Sequence, residues 1–406
     1  MSLKKFLTKK NIIIIVCLLV IAISIGSYFL INYLRVKNAV IKVTLDDTLE
    51  TEFLSDVKVS DFISDINGTI VDDYVIDTSK VGLKQVEFEY INEDNIKVKY
   101  VYEINIVDNV APLIWLNNSY TVNVGSDISL TDKILCGDNY DNDPVCEVIG
   151  EYDMSEAGTY PLVFKATDNS GNVTEKEFNL IVREPKTSGT SSGGVSTKTL
   201  FSEVVDAHKN ENTQIGIDIS KWQGDVDFNA LKEAGVEFVI IRVGTSSGIN
   251  GENLVDSKFE QNINGANKAG IPVGVYFYSY ANSEDRAISD ALWVLEQIKD
   301  YKVDLPIAFD WENWSFYNEF NLSFFGLSNM ADSFVKTVRD AGYEGMLYSS
   351  KNYLEDIWFK GDYPVWLAHY TTKTNYEGDY EFWQLCNNGR VAGINGDVDI
   401  NIRYLD

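Results

Sequence analysis

Eight short apolar runs between residues 215 and 404 constrain the fold of this chain more than any other feature. They are IGID (from 215), FVIIRV (238), VGVYFYS (273), PIAFDWE (306), GMLYSS (345), VWLAHY (365), EFWQL (381) and VDINIRY (398). Stretches of helical period follow the first four, among them DSKFEQNINGANKAG and SNMADSFVKTVRDAG, each closed by a glycine suited to a C-cap. Strands alternating with helices predict a parallel sheet, and eight of them predict an α/β barrel whose last helices are reduced or missing. The stretch CNNGRVAGINGD, residues 386–397, has no helical pattern. The last strand is therefore predicted to return antiparallel to the seventh as a hairpin.

In such barrels the functional site gathers at the C-terminal ends of the strands. Asp218 ends the first run, Tyr276 and Tyr278 lie late in the third, and Asp310 and Glu312 end the fourth. Tyr348 nears the end of the fifth, Trp366 and Tyr370 belong to the sixth, and Gln384 lies late in the seventh. Asp399 begins the eighth, and a reversed eighth strand brings it to the same rim. With 61 acids in 406 residues, chance alone supplies about nine acid-x-acid triplets, so position rather than the motif gives Asp310 and Glu312 their weight. Strand alternation turns both to one face, with α-carbons about 6.5 Å apart, and packs Trp311 the other way. Two carboxyls in a partly apolar mouth repel each other, so one holds its proton and can act as a general acid while the other stays anionic. Taken singly, Asp218 reads equally as a cap or turn contact, and Asp399 as a backbone acceptor. Aromatics at the rim, Trp222 and Trp383 besides those named, offer flat faces with polar tips suited to sugar rings, or else simply fill the barrel.

Other chemistries have little material. The only histidines are His208 and His369, too few for a histidine metal cluster or a Ser-His-Asp triad, and no glycine-rich phosphate loop follows a strand. No metal or cofactor is expected. A net charge of −27 opposes binding to phosphate backbones, so nucleic acid is not an expected partner.

Upstream, Ile12 to Ile31 are twenty uncharged residues behind Lys4, Lys5, Lys9 and Lys10, enough to span about 30 Å of hydrocarbon as a helix. The basic flank predicts a cytoplasmic N-terminus, with the chain after about residue 37 outside the membrane. A cleaved signal peptide is the rival, but the apolar run continues through Tyr28–Ile31 past its small-residue site. Next come two similar segments in a register of about 75 residues: Asp77-Thr78-Ser79-Lys80-Val81-Gly82 returns as Asp153-Met154-Ser155-Glu156-Ala157-Gly158. Their alternating strand pairs predict two β-sandwiches, 38–110 and 111–183, similar to the immunoglobulin-like modules of bacterial surface proteins. Residues 184–213, rich in Gly, Ser and Thr at the start, are expected to be a flexible linker to a catalytic barrel over 214–406. Cys136 and Cys146 are either bridged or two buried thiols. GDNYDND, residues 137–143, lacks the spacing of a calcium loop and reads as a solvated acidic turn.

The blocks GIDISKWQG, FVIIRVG, GIPVGVYFYSY, PIAFDWEN, VWLAHY, FWQL and GINGDVDIN occur in order over about residues 214–406. Together they resemble the glycoside hydrolase family 25 lysozymes, the Chalaropsis-type N-acetylmuramidases. The resemblance implies a modified barrel of five β/α units plus three strands. It further implies cleavage of the β-1,4 bond between N-acetylmuramic acid and N-acetylglucosamine in peptidoglycan strands. By position, Glu312 resembles the family's general acid, Asp310 the carboxylate that supports the substrate's 2-acetamido group, and Asp218 and Asp399 the two further acids lining the site. Phe277 stands where many members carry histidine, which bears on substrate contacts. The alternatives are a wall-binding protein that does not turn over and a hydrolase of another amino-sugar polymer. Oligomeric state is not legible.

Overall fold

The computed structural model describes residues 9–185 and 198–405. The chain divides into two compact units, Met1–Asn109 and Val110–Asp406.

In the first unit, Lys9–Lys37 is one helix, and within it Ile12–Lys37 is long and apolar enough to cross a membrane, with a mean hydropathy of 2.8 and no buried face. Lys4 and Lys5 lie outside the described residues. The β segment that follows is built on a long antiparallel hairpin, Gly82–Asn92 with Lys97–Val107, flanked by Gly68–Ile70 and by the parallel strand Glu50–Glu52.

The same plan opens the second unit. Gly158–Thr167 pairs with Val173–Arg183, Val145–Ile149 flanks one side, and Ser119–Asn123 runs parallel on the other. The repeated Asp-x-Ser has the same local cause in each copy. Asp77 accepts from the amide and hydroxyl of Ser79, and Asp153 accepts from those of Ser155. Cys136 and Cys146 are bridged. The 137–143 turn is less solvated than its composition implies. Asp138 and Asp141 are buried because their carboxylates accept turn amides, those of Tyr140 and Asp141 on Asp138 and those of Asp143 and Asn169 on Asp141.

The barrel strands are β1 (Thr213–Ile219), β2 (Phe238–Ser246), β3 (Val273–Tyr278), β4 (Ile307–Asp310), β5 (Gly345–Ser350), β6 (Val365–Ala368), β7 (Phe382–Arg390) and β8 (Val398–Tyr404). Neighbours from β1 to β7 pair in parallel, and β8 closes the ring by pairing antiparallel with both β1 and β7. Helices Phe228–Glu233, Phe259–Ala269, Glu284–Ile298, Phe324–Asp340 and Lys351–Asp356 follow β1 to β5. Two of them end as the sequence predicts, with Gly270 at φ +67° and Gly342 at φ +89°.

Alternation separates two layers. Ile217, Val239, Val275, Ile307, Leu347, Leu367, Trp383 and Ile400 face the helices, while Phe238, Ile240, Ala308, Met346, Trp366 and Phe382 fill the barrel interior. The interior is packed so closely that a Cβ on Gly216 would lie 2.5 Å from the Phe238 carbonyl oxygen.

One expected boundary moves. Thr199–Leu200 pairs with β7, and Phe201–His208 is a helix whose Phe201 and Val204 enter the barrel's outer core, so this part of 184–213 is structured rather than linker. The apolar spacing of Phe201, Val204 and Val205 wins over the Ser/Thr-rich lead-in. The rest of that linker, 186–197, lies outside the described residues.

Candidate active site

Asp218, Asp310, Gln384 and Asp399 converge at the C-terminal rim of the parallel strands. Asp218 ends β1 beside Asp399 at the start of β8, where the two are in direct antiparallel register. Asp310 closes β4 next to Tyr278 of β3 and Tyr348 of β5.

Glu312 is not on the strand. β4 stops at Asp310 and Glu312 begins the loop beyond it, with its side chain reaching solvent. Side chains hold the loop here instead of a ladder. The Trp311 indole donates to the Ala281 carbonyl at 3.0 Å, and the Asn313 amide donates to the Ser279 carbonyl at 2.9 Å. Trp311 points away from the mouth, fully buried against Trp314, Tyr317 and Phe320.

A continuous hydrogen-bond network fixes Asp218. Asn401 and Gln384 each donate an amide N–H to Asp218 Oδ2 at 2.8 Å. Gln384 Oε1 in turn accepts from the hydroxyls of Tyr348 at 2.9 Å and Tyr370 at 3.0 Å, and Asn401 Oδ1 accepts from the Trp366 indole at 2.8 Å. Trp366 and Gln384, anticipated as sugar contacts, are therefore buried supports, because their polar atoms are committed to this network. Tyr370 is half exposed at the mouth, and Tyr276 and Tyr278 are partly buried there. Trp222 stands 76% exposed just beyond β1. Trp383 faces the helix layer and donates to the His369 carbonyl, so it does not flank the mouth. Phe277 packs outward against Trp293, and its difference from histidine does not reach the mouth.

Burial raises all four carboxyls, and repulsion from neighbouring acids adds to it at Asp310, Glu312 and Asp399. Burial, then the Asp218 charge, pushes Asp399 up to about 9. Asp218 is raised by burial, but the amides of Asn401 and Gln384 stabilise its anion, so the proton between these two acids resides on Asp399. Glu312 keeps an edge open to solvent but is closely surrounded by protein, and this desolvation, then the Asp218 charge, raises it, with the Tyr348 hydroxyl acting against them. Asp310 is raised well above the carboxylate range, by burial first and then by Glu312 and Asp218. It is almost enclosed, and among the described residues its Oδ1 accepts no hydrogen bond. Arg242, held by Asp256 at 2.6 Å, is the cation that opposes this rise. Burial also lifts the phenols of Tyr276 and Tyr348, so both remain neutral hydroxyls beside the acids.

Sequence reasoning missed Asn401 and Arg242. The spacing in Asp399-Ile400-Asn401 put the asparagine on the same face as the aspartate, but a lone inward amide carries no chemical signature.

The raised Asp399 couples the site to stability. A carboxyl whose folded value is about 9 binds more protons folded than unfolded between about pH 4 and 9, so stability is full below that window and is lost as pH rises through it. Asp399→Asn is expected to flatten the fall in Tm between pH 5 and 9, and equal slopes in variant and parent would refute the assignment.

A closed α/β barrel with four carboxyls at the C-terminal rim, one of them raised and solvent-facing, has the parts of a glycoside hydrolase. Residues 217–394 match the model of Glycosyl hydrolases family 25. It is 31% identical over 189 residues to the autolytic lysozyme of Clostridium acetobutylicum, covering 46% of this chain and 54% of that one. It is also 28% identical over 209 residues to lysozyme M1 of Streptomyces globisporus, covering 46% and 66%. The chain thus spans about half the length of the clostridial relative. A family 25 glycosyl hydrolase structure from Bacillus anthracis aligns with a TM-score of 0.41 at 23% identity, covering 49% of this chain and 92% of that one.

Proposed function

We propose that this protein is a membrane-anchored N-acetylmuramidase that cleaves the β-1,4 bond between N-acetylmuramic acid and N-acetylglucosamine in peptidoglycan. The observation that carries the reading is the carboxyl cluster at the barrel rim within a family 25 segment. Glu312 is assigned as general acid. Its carboxyl is raised above the ordinary glutamate value, which favours the protonated form an acid needs, and its place beyond the end of β4 leaves it open to a leaving-group oxygen. Asp310 is assigned to the substrate's 2-acetamido group. Oδ1 is a buried acceptor, and an arriving amide N–H would lower Asp310 toward the anion that steadies that group as internal nucleophile. Asp218 and Asp399 share one proton behind the pair, and Tyr276, Tyr278 and Tyr370 border the sugar path.

The architecture assigned is the family's five β/α units plus three strands, preceded by two immunoglobulin-like sandwiches over 38–110 and 111–183. The apolar helix serves as the anchor, with the N-terminus cytoplasmic and everything after about residue 37 facing the wall. Digestion of purified peptidoglycan by the full chain tests the activity. New reducing-end muramic acid is the expected product, whereas binding without products, or products from chitin alone, would overturn the reading.

A further inference from the structure

The second β segment, 111–183, is docked onto the loop that carries Glu312. Asn318, six residues after Glu312, donates from Nδ2 to the carbonyls of Thr131 at 2.6 Å and Ile134 at 2.9 Å, and its Oδ1 accepts the Cys136 amide at 3.1 Å. Further along, Asn142 Oδ1 accepts the Ser323 amide at 2.9 Å, and the carbonyls of Asp138 and Asn139 accept the amides of Phe324 at 2.8 Å and Phe325 at 3.2 Å. These last contacts satisfy amides at the start of helix Phe324–Asp340, which otherwise have no intrahelical partner.

Apolar packing runs alongside. Leu135 joins the barrel's outer core, and Trp115 packs at 4.8 Å on Tyr353, which also stacks on Trp314 at 3.9 Å. Trp314 touches Trp311 at 4.9 Å, one residue from Glu312. Gly137 is required at this junction because a Cβ there would lie 2.6 Å from Phe324 and 2.8 Å from Tyr317. The docking stretch, Thr131 to Asn142, is stapled inside its own segment by the Cys136–Cys146 disulfide. Inside the loop, the Tyr317 hydroxyl donates to the Leu322 carbonyl, and the Phe316 and Phe320 amides donate to the carbonyls of Asn313 and Tyr317. Between β4 and the next helix the loop has a short 3-10 turn with non-helical Phe316 at its centre and Asn321 at φ +53°.

We propose that the disulfide-stapled face of this β segment, acting through Asn318, is the positioning element for Glu312. Asn318 is a positioning residue: it touches no reacting group and sets where the acid stands. The inference rests on the assignment of Glu312 as general acid, and its test separates the two.

In the full chain, Asn318→Ala and the double variant Cys136→Ser, Cys146→Ser are compared with the parent by amide hydrogen exchange, by NMR titration of the Glu312 carboxyl, and by turnover of peptidoglycan. Exchange over residues 313–325 is expected to quicken at least tenfold in both variants, with β1 to β3 unchanged. The Glu312 titration midpoint is expected to fall toward the ordinary glutamate value as the loop opens, and kcat to drop about tenfold with KM within twofold. Unchanged exchange and an unchanged titration midpoint would overturn the proposal, as would a faster-exchanging loop with parental kcat. If the parent itself releases no muramic acid ends, the activity reading fails. The bracing of Glu312 then still stands or falls on exchange and titration.

Discussion

Glu312→Gln is expected to lower kcat on peptidoglycan by about 10²–10⁴-fold while binding to the polymer is retained, since that is the range general acid catalysis contributes. The substitution keeps the side chain's shape and its place at the start of the loop and removes only the transferable proton. Two features make the effect large. Glu312 is the carboxyl of the cluster that reaches solvent, and the neighbouring Asp310 is almost enclosed and cannot take over the same position. Steady-state turnover together with a pull-down on insoluble walls checks it. Parental kcat in the variant would move the acid elsewhere in the cluster, and loss of binding along with kcat would mean that Glu312 serves recognition.

Trp311→Ala is expected to cost the barrel about 3–5 kcal/mol, the range for deleting a fully buried large aromatic. The indole fills the space between Trp314, Tyr317 and Phe320 and satisfies the Ala281 carbonyl, so its removal leaves both a cavity and an unpaired acceptor. Urea unfolding followed at the barrel's own amides reads the loss. Trp311→Phe separates the two contributions, because it restores much of the volume and none of the hydrogen bond. A midpoint unchanged in the alanine variant would show that the residue carries no packing load.

The barrel was legible because its alternation of period 2 and period 3.6 is a local property, as were the glycines that end two helices. Even the reversed β8 could be read, since residues 386–397 hold glycine and asparagine and no helical pattern. Asp218 and Asp310 were placed by their strand ends and Asp399 by the reversal of β8, whereas Glu312 lies in the loop past β4. What escaped reading was non-local or chemically silent. Gln384 looked like a contact and is a support, because only the folded ring shows its amide spent on Asp218. The rise of Asp310 escaped too, because sequence reveals the neighbour that repels it and not the enclosure that adds to the shift. The bonds between Asn318 and residues 131–136 join positions more than 180 apart, and no periodicity reports on such a pair.

The closure of the ring by β8 has a kinetic meaning. Asp218 meets Asn401 across 183 residues, so the anion-holding network costs nearly the largest loop-closure entropy the barrel can impose and gains nothing until the final strand inserts. In a chain made from its N-terminus, the two ends of the site are separated by almost the whole synthesis of the domain. A site built this way is assembled only when the last strand of the barrel is in place.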